Sequence, residues 1–170
     1  LAGSFVDQVP PGVGVLPNCA NKSKVLFICV HNSGRSQMAE AYLKQLAGHK
    51  YDVESAGLEP ANDINPLVVE VMNEEGIDIS GNKIQNVFEL FKTGKLYDHV
   101  ITVCDGASEA KCPVFAGITK RWNWPFPDPA KAEGSQEEKL TKVREIRDQI
   151  KDWLLNPGEG TFSFKTLIEK

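Results

Sequence analysis

A cysteine and an arginine separated by five residues, Cys29 and Arg35, stand out as the pair most able to do chemistry, with Ser36 directly after them. A strand-like run leads into the pair and a helical pattern leaves it. A loop so placed aims several backbone N–H groups and the positive end of a helix at one anion. Val30, His31, Asn32, Ser33 and Gly34 would then line an oxyanion cradle, with Gly34 supplying the unusual backbone angles such a loop needs. Arg35 adds a planar fork that holds two oxygens of a tetrahedral oxyanion. The same donors stabilise a thiolate, which makes Cys29 a nucleophile at neutral pH, with Ser36 offering a hydroxyl hydrogen bond. The bland alternative is a buried strand-end cysteine beside an unrelated surface arginine. Strand, helix, Gly34 and Ser36 in their places speak against it.

Two more cysteines follow, Cys104 and Cys112. Cys104 ends an apolar run, Val100 to Cys104, as Cys29 ends its own. In open parallel sheets that carboxyl edge lines the ligand crevice, so a modest loop movement would join the two sulfurs. The stretch between Cys104 and Cys112 is polar and contains Gly106, a composition suited to rearrangement. Asp128 sits between Pro127 and Pro129, which stiffen its loop. Cys29, His31, Cys104 and Cys112 also invite a zinc reading, but they lack the Cys-x2-Cys spacing of zinc sites. No metal and no cofactor is therefore expected. His31 is expected to point outward from its loop, and His49 and His99 to lie on the surface.

The elements that must position these groups alternate. Val25 to Val30 is expected as a buried parallel strand. Ser36 to Ala47 carries Met38, Ala39, Tyr42, Leu43 and Leu46 on one helical face, and Gly48 stops it. Asp52 to Ala56 is a second strand. Asn65-Pro66 opens a helix that Gly76 closes, and a weaker helix covers Asn86 to Thr93. Strands at Val100 to Cys104 and near Thr119 to Trp122 follow. Ser135 and Glu138 form a capping box ahead of the stripe Leu140, Val143, Ile146, Ile150 and Trp153. The fold class is α/β: a three-layer sandwich with a four-stranded parallel sheet, in a single domain over residues 24–170. Residues 1–23 are rich in Pro and Gly without periodicity and are expected to be an extension or linker, the remnant of a cut fusion. Cys19, inside that stretch, is expected to be incidental.

The chain has 170 residues, 41% hydrophobic and 25% charged, which suits one soluble domain. A net charge of -4 argues against nucleic acid as a partner. No apolar run approaches a membrane-spanning length, and no secretory signal opens the sequence. Four cysteines are few for a secreted disulfide scaffold, and thiols of this kind suit a reducing cytoplasmic location.

Cys29 to Glu40 (CVHNSGRSQMAE) resembles the phosphate-binding loop of the low-molecular-weight protein tyrosine phosphatases and of the arsenate reductases that share their fold. Ser55-Ala56-Gly57 and Gly76 to Ser80 match later segments of both branches, so the resemblance covers Lys24 to Leu155. Gln37 stands where the phosphatases tend to have proline, and Ala130 and Lys131 replace the tyrosine that usually follows their Asp-Pro. The first departure looks more like the reductases and the second points away from phosphotyrosine, while Cys29, Cys104 and Cys112 match the three cysteines that the thioredoxin-coupled arsenate reductases use in relay.

That resemblance implies a reaction. Cys29 attacks arsenate while Asp128, as general acid, protonates the departing oxygen. Cys104 attacks the Cys29–arsenic adduct, releasing arsenite and leaving a Cys29–Cys104 disulfide. Cys112 moves the disulfide to Cys104–Cys112, where thioredoxin reduces it. Seven residues separate Cys104 from Cys112, one more than in some relatives. Some family members bind potassium near the loop. Asn32, Glu40 and Ser55 match three of those positions, but Gln85 stands where an aspartate is expected. The alternatives kept open are a phosphatase of the same fold and a non-catalytic redox or oxyanion sensor module.

Overall fold

A computed structural model describes residues 22–156. The expected extension, apart from its last two residues, lies outside the described residues, as does the segment after 156. The elements run β1 (Ser23–Cys29), α1 (Arg35–Ala47), β2 (Tyr51–Gly57), α2 (Pro66–Glu74), α3 (Val87–Lys92), β3 (His99–Thr102), α4 (Gly106–Glu109), β4 (Lys120–Asn123) and α5 (Gln136–Leu155). A single turn of 3-10 helix, Pro129–Lys131, precedes α5. The four strands form one parallel sheet in the order β2-β1-β3-β4. The α/β sandwich with a four-stranded parallel sheet is therefore found as expected.

Central β1 is apolar on both faces because both are covered. Val25, Phe27 and Cys29 join a large core with α1, α2 and α5, through Met38, Leu43, Val68, Met72, Val143 and Ile150 among others. Leu26 and Ile28 point the other way, into a smaller core with Val87, Tyr97, Cys112 and Phe115. Two-residue alternation thus splits the interior into two half-cores, one on each side of the sheet. Trp124 is 1% exposed and stacks between Phe27 and Trp153, each 6.3 Å away between ring centroids.

Local chemistry sets the boundaries. Asn65 caps α2 by accepting the Leu67 N–H, and Pro66 takes the first helical position. Gly76 then adopts φ +76, as a residue closing that helix must. Ser135 and Glu138 form the capping box of α5.

Two expectations need correction, and one short element is added. His99 is not a surface residue: it opens β3 at 8% exposure, and burial holds its imidazole below the usual histidine range. β3 ends at Thr102, so Val103 and Cys104 lie just past the ladder, although the Val103 N–H still donates to the Ile28 carbonyl at 2.8 Å. The polar stretch before Cys112 contains the short helix α4, which Asp105 caps through Ser108 N–H.

Candidate active site

β1 delivers Cys29 to the carboxyl edge of the sheet, and residues 30–34 turn the chain into α1. Cys29 is 2% exposed. Its sulfur accepts the Asn32 N–H at 3.1 Å and lies 2.9 Å from Ser36 Oγ. Asn32 Nδ2 donates to that same Oγ at 2.8 Å. Ser36 therefore has its proton free to donate to the sulfur. No side chain caps α1, which leaves its leading N–H groups turned toward this loop without a competing acceptor.

The left-handed residue of the loop is Asn32, with φ 51, rather than Gly34. Asparagine tolerates this region because its short amide bonds locally. Gly34 has φ -146 and is needed for space: a Cβ there would stand 3.0 Å from Pro129 Cγ. Gly57 carries a stricter demand. It pairs with Cys29 across β1 and β2, and a Cβ would come within 2.8 Å of both the Asn32 nitrogen and the Val30 oxygen.

Arg35 is buried, donating to the Phe126 carbonyl at 3.1 Å and standing 3.7 Å from Asp128 Oδ2. Asp128 Oδ1 accepts the Ala130 N–H at 3.0 Å and so caps the 3-10 turn. The small pocket over Cys29 is lined by His31, Ser33, Gly34, Arg35 and Asp128, together with Asn65, Pro129 and Ala130. His31 Nδ1 lies 3.0 Å from the Glu59 carbonyl oxygen. Val30 is not part of that lining, and its carbonyl accepts the Glu59 N–H. Asn32 and Ser36 lie beneath the sulfur with no exposed surface. A wider cleft, about 490 Å³, opens beside Arg35 and Asp128 toward Asp105, Lys131 and Lys142.

Below the loop runs a polar network. Asn32 Nδ2 also donates to Ser55 Oγ at 2.9 Å, Ser55 donates to Glu40 Oε2 at 2.7 Å, and Lys44 Nζ reaches Glu40 Oε1 at 2.8 Å. The Asn32 amide cannot be reversed, because its Oδ1 accepts the Gln85 backbone N–H at 2.8 Å. Gln37 donates to Asn32 and to the Lys83 carbonyl, tying the loop to the segment before α3. Lys44, and Asn82, whose amide donates to Gln37 Oε1 at 3.2 Å, were not singled out from the sequence, and Gln37 was noted only for the resemblance. The available signal was three polar residues, Ser36, Gln37 and Glu40, that follow Arg35 on buried positions of a helix whose remaining buried positions are Met, Ala, Tyr and Leu.

A potassium ion needs converging oxygens that are not already engaged. Here Lys44 holds Glu40, Ser55 Oγ is both donor and acceptor, and the Gln85 Nε2 donates to the Ser55 carbonyl at 3.1 Å. The residues present do not fit that ion. Among the described residues, no group of three or more His, Cys, Asp or Glu gathers as metal ligands would.

Cys104 has no exposed surface and Cys112 is 8% exposed; both are free thiols, as is Cys29. Burial pushes the Cys104 thiol up to about 12, with Cys112 and Cys29 adding to the rise and Arg35 opposing it. Burial likewise pushes Cys112 up to about 11, against the pull of Arg121. Cys104 thus sits within the electrostatic reach of Cys29, Arg35 and Cys112 together.

A cysteine sulfur at a strand end, a turn leading into a helix with no side-chain cap and a buried arginine are the arrangement of a phosphatase-type loop. The family model for low molecular weight phosphotyrosine protein phosphatase matches residues 24–157, and the chain belongs to that family. An arsenate reductase of Oceanobacillus iheyensis is 42% identical over 132 residues, covering 78% of this chain and 92% of the relative. A solved arsenate reductase in its oxidized state superposes with a TM-score of 0.66 at 32% identity, over 79% of this chain and 95% of that one. The thioredoxin-dependent arsenate reductase of Corynebacterium glutamicum matches with a TM-score of 0.58 at 34% identity, over 78% of this chain and 60% of that one. No described helix is long and apolar enough to cross a membrane.

Proposed function

We propose that this protein is a cytoplasmic arsenate reductase that draws its electrons from thioredoxin. The observation that carries the reading is a second and a third buried thiol near the first: Cys104 within electrostatic reach of Cys29, Arg35 and Cys112, and Cys112 within reach of Cys29. Phosphate-ester hydrolysis has no use for them, whereas reduction of As(V) to As(III) needs two electrons and hence a thiol pair. The arsenate reductase relatives support the same choice.

In the proposed sequence, arsenate enters the pocket over Cys29 and is held by the loop N–H groups and the Arg35 guanidinium, which must turn from the Phe126 carbonyl. The Cys29 thiolate bonds to arsenic and one oxygen leaves as water, taking its proton from Asp128. The Cys104 thiolate then attacks the Cys29 sulfur. The S–As bond breaks with its electron pair staying on arsenic, which departs as arsenite. Cys112 attacks Cys104, freeing the Cys29 thiolate and leaving Cys104–Cys112. Thioredoxin opens that disulfide by exchange. Because Cys104 and Cys112 are buried and neutral at rest, the segment 104–112 must open before either reacts.

The test is arsenate-dependent NADPH consumption with thioredoxin and thioredoxin reductase. Cys112→Ser should still release about one equivalent of arsenite per protein but no longer turn over. Unchanged turnover would remove Cys112 from the relay. The competing reading, a phosphatase, is favoured by the family match itself; it requires aryl phosphate hydrolysis that survives Cys104→Ser and not Cys29→Ser.

A further inference from the structure

Arsenate held over Cys29 leaves a far larger space beside it unused. The wider cleft, about 490 Å³, is of the size that holds a small organic ligand. It shares Arg35 and Asp128 with the pocket over Cys29, so these two side chains lie between the two spaces. Arg35 is fixed there by the Phe126 carbonyl at 3.1 Å and stands 3.7 Å from Asp128. A guanidinium that turns to an oxyanion releases that carbonyl. Phe126 itself lines the cleft, so filling the pocket opens the way between the two spaces.

The lining suits an apolar body better than a second anion. Phe126, Pro127, Ala132 and Ile146 supply hydrocarbon, and Phe126 is held edge-on by Trp153 at 6.1 Å between ring centroids. The charges balance, with Arg35, Lys131 and Lys142 set against Asp105, Asp128 and Glu145. An inorganic oxyanion has no group to place there. We propose that the cleft is a subsite for an organic substituent on arsenic, and that the protein also reduces arsonic acids carrying a compact apolar group such as an aryl ring. This rests on the reductase reading and widens its substrate class. The Cys29 thiolate bonds to arsenic, and one oxygen leaves as water with the proton from Asp128, while the carbon–arsenic bond stays intact. Attack of the Cys104 thiolate on the Cys29 sulfur breaks the S–As bond. Its electron pair stays on arsenic, and a trivalent arsonous acid departs. One arsonic acid and two thiols thus give one arsonous acid, one disulfide and one water, and thioredoxin reduces the disulfide.

Two measurements on the full chain separate the subsite from the reading it rests on. Calorimetry with phenylphosphonate and methylphosphonate, which no thiol reduces, reports the subsite alone. Phenylphosphonate should bind about tenfold or more tightly than methylphosphonate, the gain expected from covering most of a phenyl ring. Thioredoxin-coupled turnover should show the same preference in kcat/KM for phenylarsonate over methylarsonate. Gln149→Trp fills the cleft from an exposed position on α5. It should bring both ratios near one and leave arsenate turnover unchanged. Glu145→Trp, also exposed and one turn earlier, should do the same, so a single misfolded variant decides nothing. Equal binding of the two phosphonates by the parent would overturn the proposal. So would a phenyl preference that both variants keep, or turnover of arsenate with none of phenylarsonate. Absence of arsenate turnover beside a phenyl preference lost in both variants would overturn the reductase reading, and the arsonate activity with it, while supporting the subsite.

Discussion

Raising the pH should weaken this fold through two particular thiols. Cys104 and Cys112 are held neutral by burial, at about 12 and about 11, where an ordinary thiol titrates near 9.0. The folded values are raised, so this contribution is complete below pH 9 and is lost as pH climbs toward 11 and 12. At pH 10 the unfolded thiols are about nine-tenths ionised while the folded ones remain protonated, which costs about 1 kcal/mol per thiol and roughly 2–3 kcal/mol for the pair relative to pH 8. The assay is urea unfolding at pH 8 and pH 10, for the parent and for Cys104→Ala/Cys112→Ala under reducing conditions. Tyr42, Tyr51 and Tyr97, whose hydroxyls burial also pushes up, contribute equally to both proteins and cancel. The parent should lose roughly 2–3 kcal/mol more than the double variant on going to pH 10. Equal losses would refute the reasoning. Alkylation gives a second view: at pH 8 Cys104 should react about a thousandfold more slowly than an unfolded thiol, and Cys112 about a hundredfold more slowly.

Further outcomes follow from the geometry of the loop and its support. Gly57→Ala places a Cβ against the Asn32 nitrogen and the Val30 oxygen, so it should cost about 1–3 kcal/mol in urea unfolding and displace the loop enough to abolish oxyanion binding by calorimetry. Ser36→Ala removes the hydroxyl donor to the sulfur and should slow Cys29 alkylation roughly tenfold or more, with little change in the urea midpoint. Trp124→Ala empties the space between Phe27 and Trp153 and should cost about 3–5 kcal/mol, measured by urea unfolding.

The sheet and the three-layer arrangement were legible in the sequence because parallel strands buried on both faces are written as unbroken apolar runs, as at Val25 to Ile28. Helix caps at Asn65 and Ser135 were legible too, since capping uses few residue types at fixed offsets. The loop was legible from Cys29 and Arg35, but its conformation was not. The left-handed angle falls on Asn32, whereas Gly34 is small because Pro129, distant in sequence, presses on it. His99 could not be placed because a strand's first residue is buried or exposed according to what packs over it. The α4 turn escaped because four residues are too short for any period to show. The network under the sulfur depends on Ser55, Gln85 and Lys83 meeting α1 across the fold, which no local pattern announces.

The division of the interior by β1 has a consequence for traffic. Cys29 belongs to the half-core under α1, α2 and α5, and Cys112 to the half-core under α3, with Cys104 at the rim where β3 runs out. Under the proposed relay, oxidising equivalents taken from the oxyanion on one side of the molecule are handed over the lip of the sheet and discharged on the other. Substrate and electron donor then approach through separate doors. A donor docked near Cys112 need not block the mouth above Cys29, and reloading with arsenate can begin before the donor has departed.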